Sequence, residues 1–345
     1  MRGSPVLHPV SAIYGAAVRA RLSAYSKGLL SPFSLEVPTI SVGNITAGGT
    51  GKTPIVEWLC RKLSQEGRKV GVLTRGYRRD SPQSRVLVSD GISVYANVWE
   101  AGDEAFLLAE RLVGVAAVIS DANRTAAGRW ARDELGVNAF VLDDGFQHLQ
   151  LSRDLDLLLI DATDPWGGNS LLPLGRLREP VSGLHRADCI VITRAEEPTT
   201  VTYLINEIRA ISDAPLVLSS RMRVRGVELL NEIGGLEDPR GKPMAAFCGI
   251  GNPSAFFNQL RRDHYNVVLT RAFPDHHRYN QGDIEAVVRE GRLRGAQSVV
   301  TTAKDAVKLR ELNFSVPCYV LEIEVEMEQE ATIVELIRSV LSSRK

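Results

Sequence analysis

A chain of 345 residues is long enough for one large or two ordinary domains, each able to bury a core of its own. Hydrophobic residues at 44% and charged residues at 24% exclude a disordered chain. The balance of 41 basic against 41 acidic residues excludes a global attraction for nucleic acid, so any polyanion must be met by a local patch.

The N-terminus departs from this neutrality. Residues 1 to 35 carry Arg2, Arg19, Arg21 and Lys27 and no acidic residue before Glu36. A helix over residues 10 to 30 places Tyr14, Val18, Leu22, Tyr25 and Leu29 on one apolar stripe flanked by these bases. Such a helix either packs on the core or lies on an anionic membrane surface, where each basic residue adds ~1 kcal/mol. No apolar run approaches the ~20 residues of a membrane span, and no signal-peptide pattern opens the chain. Cys60, Cys189, Cys248 and Cys318 are too dispersed for a C-x-x-C motif and read as reduced, buried thiols of a cytoplasmic protein.

From residue 39 short β-branched runs alternate with helical stretches, the pattern of a parallel sheet covered on both faces. "TISVGN" is a strand, residues 53 to 65 a helix, "KVGVLTRGY" a strand and "GDEAFLLAERL" a helix. "AAVISD" is the next strand, and "NRTAAGRWARDELG" a helix capped by Asn123. "NAFVLDDGFQH", "LDLLLIDAT", "CIVITRAEE" and "PLVLSS" complete a doubly wound domain over residues 36 to 220. The Gly- and charge-rich residues 221 to 242 read as a hinge to a smaller α/β domain over 243 to 345. That domain holds a strand, Gly-rich turn and helix in "PMAAFCGIGNPSAFFNQLRR", a strand and helix in "SVVTTAKDAVKL", a strand in "PCYVLEIEVEM" and a closing helix over 328 to 343.

"AGGTGKT" at 47 to 53 links a strand to a helix, the setting in which a glycine pattern becomes a phosphate site. Gly48, Gly49, Thr50 and Gly51 permit the wrap, and backbone N–H groups and the helix N-terminus supply partial positive charge. Lys52 reaches the terminal phosphates and Thr53 offers a hydroxyl to Mg²⁺. Thr46 stands where the usual pattern has its first glycine. Asp143 and Asp144 end an apolar strand; adjacent carboxylates repel unless a cation or proton relieves them, which makes the pair a better metal candidate than Asp161. Asp103 and Glu104 follow a glycine at a helix start and serve either as caps or in proton transfer. "FPDHHRY" at 273 to 279 is too polar for core and is either a solvated turn or a ligand loop. "TRGYRR" with Arg75, "HLQLSRD" with His148 and Arg153, and "LPLGRLREP" with Arg176, Arg178 and Glu179 suit an anionic ligand or solvent equally.

The segments "SVGNITAGGTGKTP", "LTRGYRR", "GDEAFLLA", "LDDGFQH", "RDLDLLLID", "LPLGRLREP", "FPDHHRY" and "TTAKDAVKL", in this order over residues 37 to 310, closely resemble tetraacyldisaccharide 4'-kinase, the lipid A 4'-kinase family of Gram-negative bacteria. The loop of that family likewise lacks the first glycine, which accounts for Thr46. The resemblance implies two α/β/α domains, the first P-loop NTPase-like, joined by a hinge. It implies ATP and Mg²⁺ on the loop, with Thr53, Asp143 and Asp144 at the metal. It casts Asp103 as the catalytic carboxylate working with His276, and places Glu104, Arg75, Gln147, His148 and Arg176 around nucleotide and reaction centre.

The reaction so implied is γ-phosphoryl transfer from ATP to the 4'-hydroxyl of a tetraacylated glucosamine disaccharide 1-phosphate. Its acceptor is membrane-embedded and anionic. This favours the membrane reading of the basic helix and a peripheral enzyme on the cytoplasmic face of the inner membrane, with no nucleic acid and no stable protein partner. Two other classes remain as alternatives, a P-loop GTPase or metallochaperone and an ATP-dependent ligase of small-cofactor biosynthesis.

Overall fold

Short aliphatic runs buried on both sides form the strands, as a sheet covered on two faces requires. The computed structural model describes residues 7–81, 83–230 and 239–343. The strands are β1 (Thr39–Asn44), β2 (Val70–Thr74), β3 (Arg85–Ser89), β4 (Ala116–Asp121), β5 (Ala139–Asp143), β6 (Leu155–Asp161), β7 (Cys189–Thr193), β8 (Leu216–Leu229), β9 (Met244–Cys248), β10 (Val267–Ala272), β11 (Ser298–Thr302) and β12 (Cys318–Met327). The helices are α1 (Leu7–Ser26), α2 (Lys52–Gln65), α3 (Val98–Ala101), α4 (Asp103–Arg111), α5 (Arg124–Leu135), α6 (Pro198–Ile211), α7 (Pro253–Arg262), α8 (Gln281–Leu293), α9 (Ala303–Ala306) and α10 (Glu330–Ser342).

These strands form one sheet in the order β10-β9-β11-β12-β8-β7-β6-β1-β5-β2-β4-β3. All neighbours run parallel except β3 with β4 and β8 with β12. In the first half, α2, α4 and α10 cover one face over Ile40, Val42, Leu59 and Leu108. The other face is covered by α5 over Leu73 and Phe140 and by α6 over Leu158 and Ile190. In the second half α7 covers one face with Phe256, Phe257 and Leu260, and α8 the other with Ile284, Val287 and Val288.

Two boundaries differ from the sequence reading. Residues 221 to 229, read as part of a hinge, are the second part of β8; Leu216 to Ser219 pair with β7, and Ser220 to Leu229 pair with β12. Their alternation of Met222 and Val224 with Arg221, Arg223 and Arg225 is a strand's period of two, which the charge content disguised. Residues 231 to 238 of that segment lie outside the described residues, as does Arg2. The closing helix α10, assigned to the smaller domain, instead buries Ile333, Ile337, Val340 and Leu341 in the first-half core, because an amphipathic stripe does not encode which sheet it covers.

The N-terminal helix also differs. It ends at Ser26, short of Leu29. Its Tyr14, Val18 and Leu22 face inward onto a cavity, while the exposed apolar side chains are Val10, Ile13, Leu29, Leu30 and Phe33, with Ile13 at 72% exposure. Ser11 Oγ donates to Leu171 O at 2.9 Å, Tyr14 Oη donates to Arg178 O at 2.7 Å, and a Cβ on Gly15 would lie 2.6 Å from Leu171 Cδ1, so small and hydroxylic residues let the helix dock closely.

Phe140 is fully buried among Leu73, Ala117 and Leu142. Phe140→Ala is expected to lower unfolding free energy by about 3–5 kcal/mol, read as a lower urea midpoint at unchanged m-value.

Candidate active site

The loop after β1 turns where glycine allows it. Gly48 has φ of 123° and Gly51, at the N-cap of α2, has φ of 81°. Thr46 is buried and outside the left-handed region; it bridges Leu177, while Ala47 N donates to Arg176 O at 2.6 Å and Asn44 Nδ2 to Thr46 O at 2.7 Å. Position 46 is therefore a pairing position, and no glycine is needed there. Lys52 Nζ lies 3.5 Å from Asn44 Oδ1 and 3.5 Å from Asp144 Oδ1.

The acidic pair at the end of β5 has two unlike members. Asp143 is buried and accepts from Thr74 Oγ1 at 3.3 Å; burial first, then Glu104 and Asp144, push its carboxyl well above the usual range. Asp144 has φ of 52°, which turns it toward the loop. Burial opposes its charge, yet Lys52 and Arg178 outweigh burial and hold its carboxyl well below the usual range. Arg178 Nη1 donates to Asp144 Oδ2 at 2.6 Å, and Asp144 Oδ1 is buried without a hydrogen bond.

A second charged cluster joins the two halves of the sheet. Gly102, with φ of 88°, ends α3 and opens α4, so Asp103 and Glu104 stand side by side in the first turn of α4. His276, with φ of 60° in the turn after β10, places Nδ1 2.9 Å from both oxygens of Asp103. An ionised carboxylate can only accept, so Nδ1 is the donor and Nε2 is left to accept from Lys304 Nζ at 3.4 Å. Lys304 also donates to Glu104 Oε1 at 2.8 Å. Burial raises the Asp103 carboxyl, but the His276 hydrogen bond and then Lys304 bring it down to about 2. Burial likewise works against Glu104, and Lys304 followed by Lys52 lowers it. His277 plays a different part: its Nε2 meets Asp283 Oδ2 at 3.0 Å in the capping box of α8, and its ring stacks on Phe273.

Both clusters border a cavity of about 700 Å³ lined by the loop from Ala47 to Thr53, and also by Arg75, Glu104, Asp143, Asp144, Gln147, His276 and Lys304. Asp103, 7% exposed, lines an adjoining cavity of about 510 Å³ with Arg78, Arg278 and Lys308. Tyr77, Gly102, Asp275 and His276 border both cavities, so Asp103 stands at the wall between them. Gln147 Nε2 donates to Asn44 O at 2.9 Å and steadies the end of β1.

Two residues named from sequence sit elsewhere. His148 does not line the loop-bordered cavity; its Nδ1 is 3.4 Å from Arg124 Nη1, and burial followed by Arg124 lowers its pKa to about 4, which leaves the ring neutral. Arg176 pairs with Asp164 and lies over Gly48, outside the cavity lining. Arg178, two residues on, is the arginine that reaches Asp144. Sequence reasoning missed Arg124, whose Nη2 donates to Asp143 O at 3.2 Å. Its signal was present: Arg124 shares the buried face of α5 with Ala127, Gly128 and Ala131 at helical spacing.

Among the described residues no group of three or more His, Cys, Asp or Glu is arranged to hold a metal. A Mg²⁺ that keeps waters and phosphate oxygens needs only one or two carboxylates. The unbonded Asp144 Oδ1, 3.5 Å from Lys52 Nζ and lining the same cavity as Thr53, fits that requirement.

A family model described as tetraacyldisaccharide-1-P 4'-kinase matches residues 4–342. A tetraacyldisaccharide 4'-kinase of Halothermothrix orenii is 36% identical, over 96% of this chain and 91% of its own length. That of Geobacter metallireducens is 41% identical, over 88% of each. Among solved structures, LpxK from Aquifex aeolicus in complex with ATP superposes with a TM-score of 0.76 at 30% identity, covering 96% of this chain and 98% of that one.

The buried pairing of Thr46 gives an expectation opposite to motif repair. Thr46→Gly, which restores the usual glycine, is expected to cost roughly 1 kcal/mol of stability and to leave affinity for a fluorescent ATP analogue the same or weaker. A gain in affinity would overturn this account of the position.

Proposed function

This chain belongs to the tetraacyldisaccharide-1-phosphate 4'-kinase family and carries out ATP-dependent 4'-phosphorylation in lipid A biosynthesis, and from that premise we propose how its residues divide the work. The observation that carries the proposal is the Asp103–His276 contact at the wall of the loop-lined cavity. Asp103 orients the acceptor 4'-hydroxyl and receives its proton, and His276 fixes the carboxylate through Nδ1. A carboxyl held to about 2 is ionised throughout the neutral range but is a weak base. That suits a loose phosphoryl transition state, in which the attacking oxygen gives up its proton late.

Lys52 and the loop amides bind the β- and γ-phosphates. Asp144, with Asp143 and Thr53, would hold Mg²⁺, which when bound neutralises charge on the phosphate oxygens. The unbonded Asp144 Oδ1 makes Asp144 the direct ligand and the more buried, proton-retaining Asp143 its support. Asp103 and His276 come from opposite halves of the sheet, so separation of the halves breaks the pair and closure on acceptor restores it, which restrains ATP hydrolysis in the acceptor's absence.

Transfer of labelled γ-phosphate to a tetraacylated disaccharide 1-phosphate in detergent micelles tests these roles together. Asp103→Ala is expected to lose about a hundredfold or more in kcat, and His276→Ala about tenfold or more, while His277→Ala keeps most of kcat and loses thermal stability. Chelation of divalent metal stops transfer, and ATP turnover without acceptor is at least roughly a hundredfold slower than with it. Wild-type rates in Asp103→Ala would remove it from the chemistry.

The acceptor brings the enzyme to a bilayer. No described helix is long and apolar enough to cross one. The exposed Val10, Ile13, Leu29, Leu30 and Phe33, with Arg19 and Lys27, form a surface suited to the anionic cytoplasmic face of the inner membrane. Flotation with vesicles containing anionic lipid is expected to carry the protein, and Ile13→Asp combined with Leu29→Asp to reduce binding roughly tenfold or more. Equal flotation of the double variant would reject this surface.

A further inference from the structure

We propose that Lys308 is a positioning residue for phosphoryl transfer, holding the Asp103 carboxylate against His276 from the buried side. Its side chain is 2% exposed, Nζ makes no hydrogen bond, and it lies 3.5 Å from Asp103 Oδ2 and 3.2 Å from Asp305 Oδ1, 5.4 Å from the centre of the Tyr279 ring. Burying an ammonium is strongly unfavourable, and a methionine would fill the same space without that penalty, so packing does not explain a lysine here.

The surrounding contacts form a closed ring. Asp305 is fully buried; its Oδ2 accepts from Gly249 N at 3.0 Å and Thr302 Oγ1 at 2.8 Å, which leaves Oδ1 for Lys308. Gly249 O accepts from His276 N at 3.1 Å, and His276 Nδ1 donates to Asp103. Both supports of Asp103, the imidazole and the ammonium, are thus anchored on the same carboxylate, Asp305. Lys304 differs, being engaged with Glu104 and Asp275 at the large cavity, which Lys308 does not line.

The titratable groups facing Asp103 are His276 from the β10–α8 turn, Lys304 and Lys308 from α9 and the residues after it, and Glu104 beside it on α4. Arg78, Arg79, Asp80, Asp275 and Arg278 line the same smaller cavity. Loss of the Lys308 ammonium leaves Asp103 held from one side only, free to turn away from the hydroxyl. Turnover then falls, while the nucleotide site is untouched.

The inference rests on Asp103 acting on the acceptor proton. Full-length Lys308→Met and Lys308→Arg would be assayed by phosphate transfer at neutral pH, with thermal melts to verify folding. Lys308→Met is expected to lose roughly tenfold or more in kcat and to keep KM for ATP within about twofold. Lys308→Arg is expected to recover most of the wild-type kcat. Should the methionine variant not fold, Lys308→Gln carries the same comparison without charge. Wild-type kcat in the uncharged variant, a loss that Lys308→Arg does not recover, or a KM for ATP that rises in step with the loss, overturns the role of Lys308. Transfer retained by Asp103→Ala would instead defeat the reading beneath it.

Discussion

Two carboxylates at the first turn of one helix are answered by an imidazole and two ammonium groups from the far half of the sheet, and the geometry of the site depends on that match. Asp103 and Glu104 alone would repel each other and resist burial. His276, Lys304 and Lys308 offset both costs, but only when β9 to β12 are seated against α4. The assembly of the two halves and the ionisation of the site are therefore one event. Removing a single partner leaves a buried charge uncompensated, which is more damaging than the loss of one surface ion pair.

The same principle separates the two members of the acidic pair on β5. Adjacent aspartates with identical intrinsic chemistry acquire opposite character because one faces inward toward Thr74 and the other turns, through a positive φ, toward Lys52 and Arg178. One carboxyl tends to keep a proton and the other to lose it, so the pair need not carry two full charges. A lone aspartate followed by a small apolar residue would offer the charge without the buffering partner.

The loop, the acidic strand end and the alternation of strands and helices were legible in the sequence because each is encoded locally, by glycine at turns, by a strand's period and by an apolar run stopping at a charge. What could not be read depends on contacts far along the chain. Arg176 and Arg178 are indistinguishable as letters in an irregular loop, and which of them reaches Asp144 is decided by how residues 176 to 178 run beside Thr46. Lys304 is one lysine at a helix start, and its partner Glu104 is distant in sequence. The adjacent histidines became distinct only through the turn that sends His276 to Asp103 and His277 to Asp283. The apolar stripe of α1 was visible, yet its inward direction followed from Gly15 and Ser11, whose small size admits the neighbouring loop.

The chain crosses into the second half along β8 and comes back along β12, then closes its last helix over the first-half core. The second half is in this sense an insertion, tethered at both ends by strands hydrogen-bonded to each other. A single flexible tether would permit swivelling in any direction. A paired ribbon resists shear and stretch and yields mainly to twist, so it confines the direction from which His276 meets the Asp103 carboxylate. Precision at the reacting atoms can then be kept by a connection some distance from them.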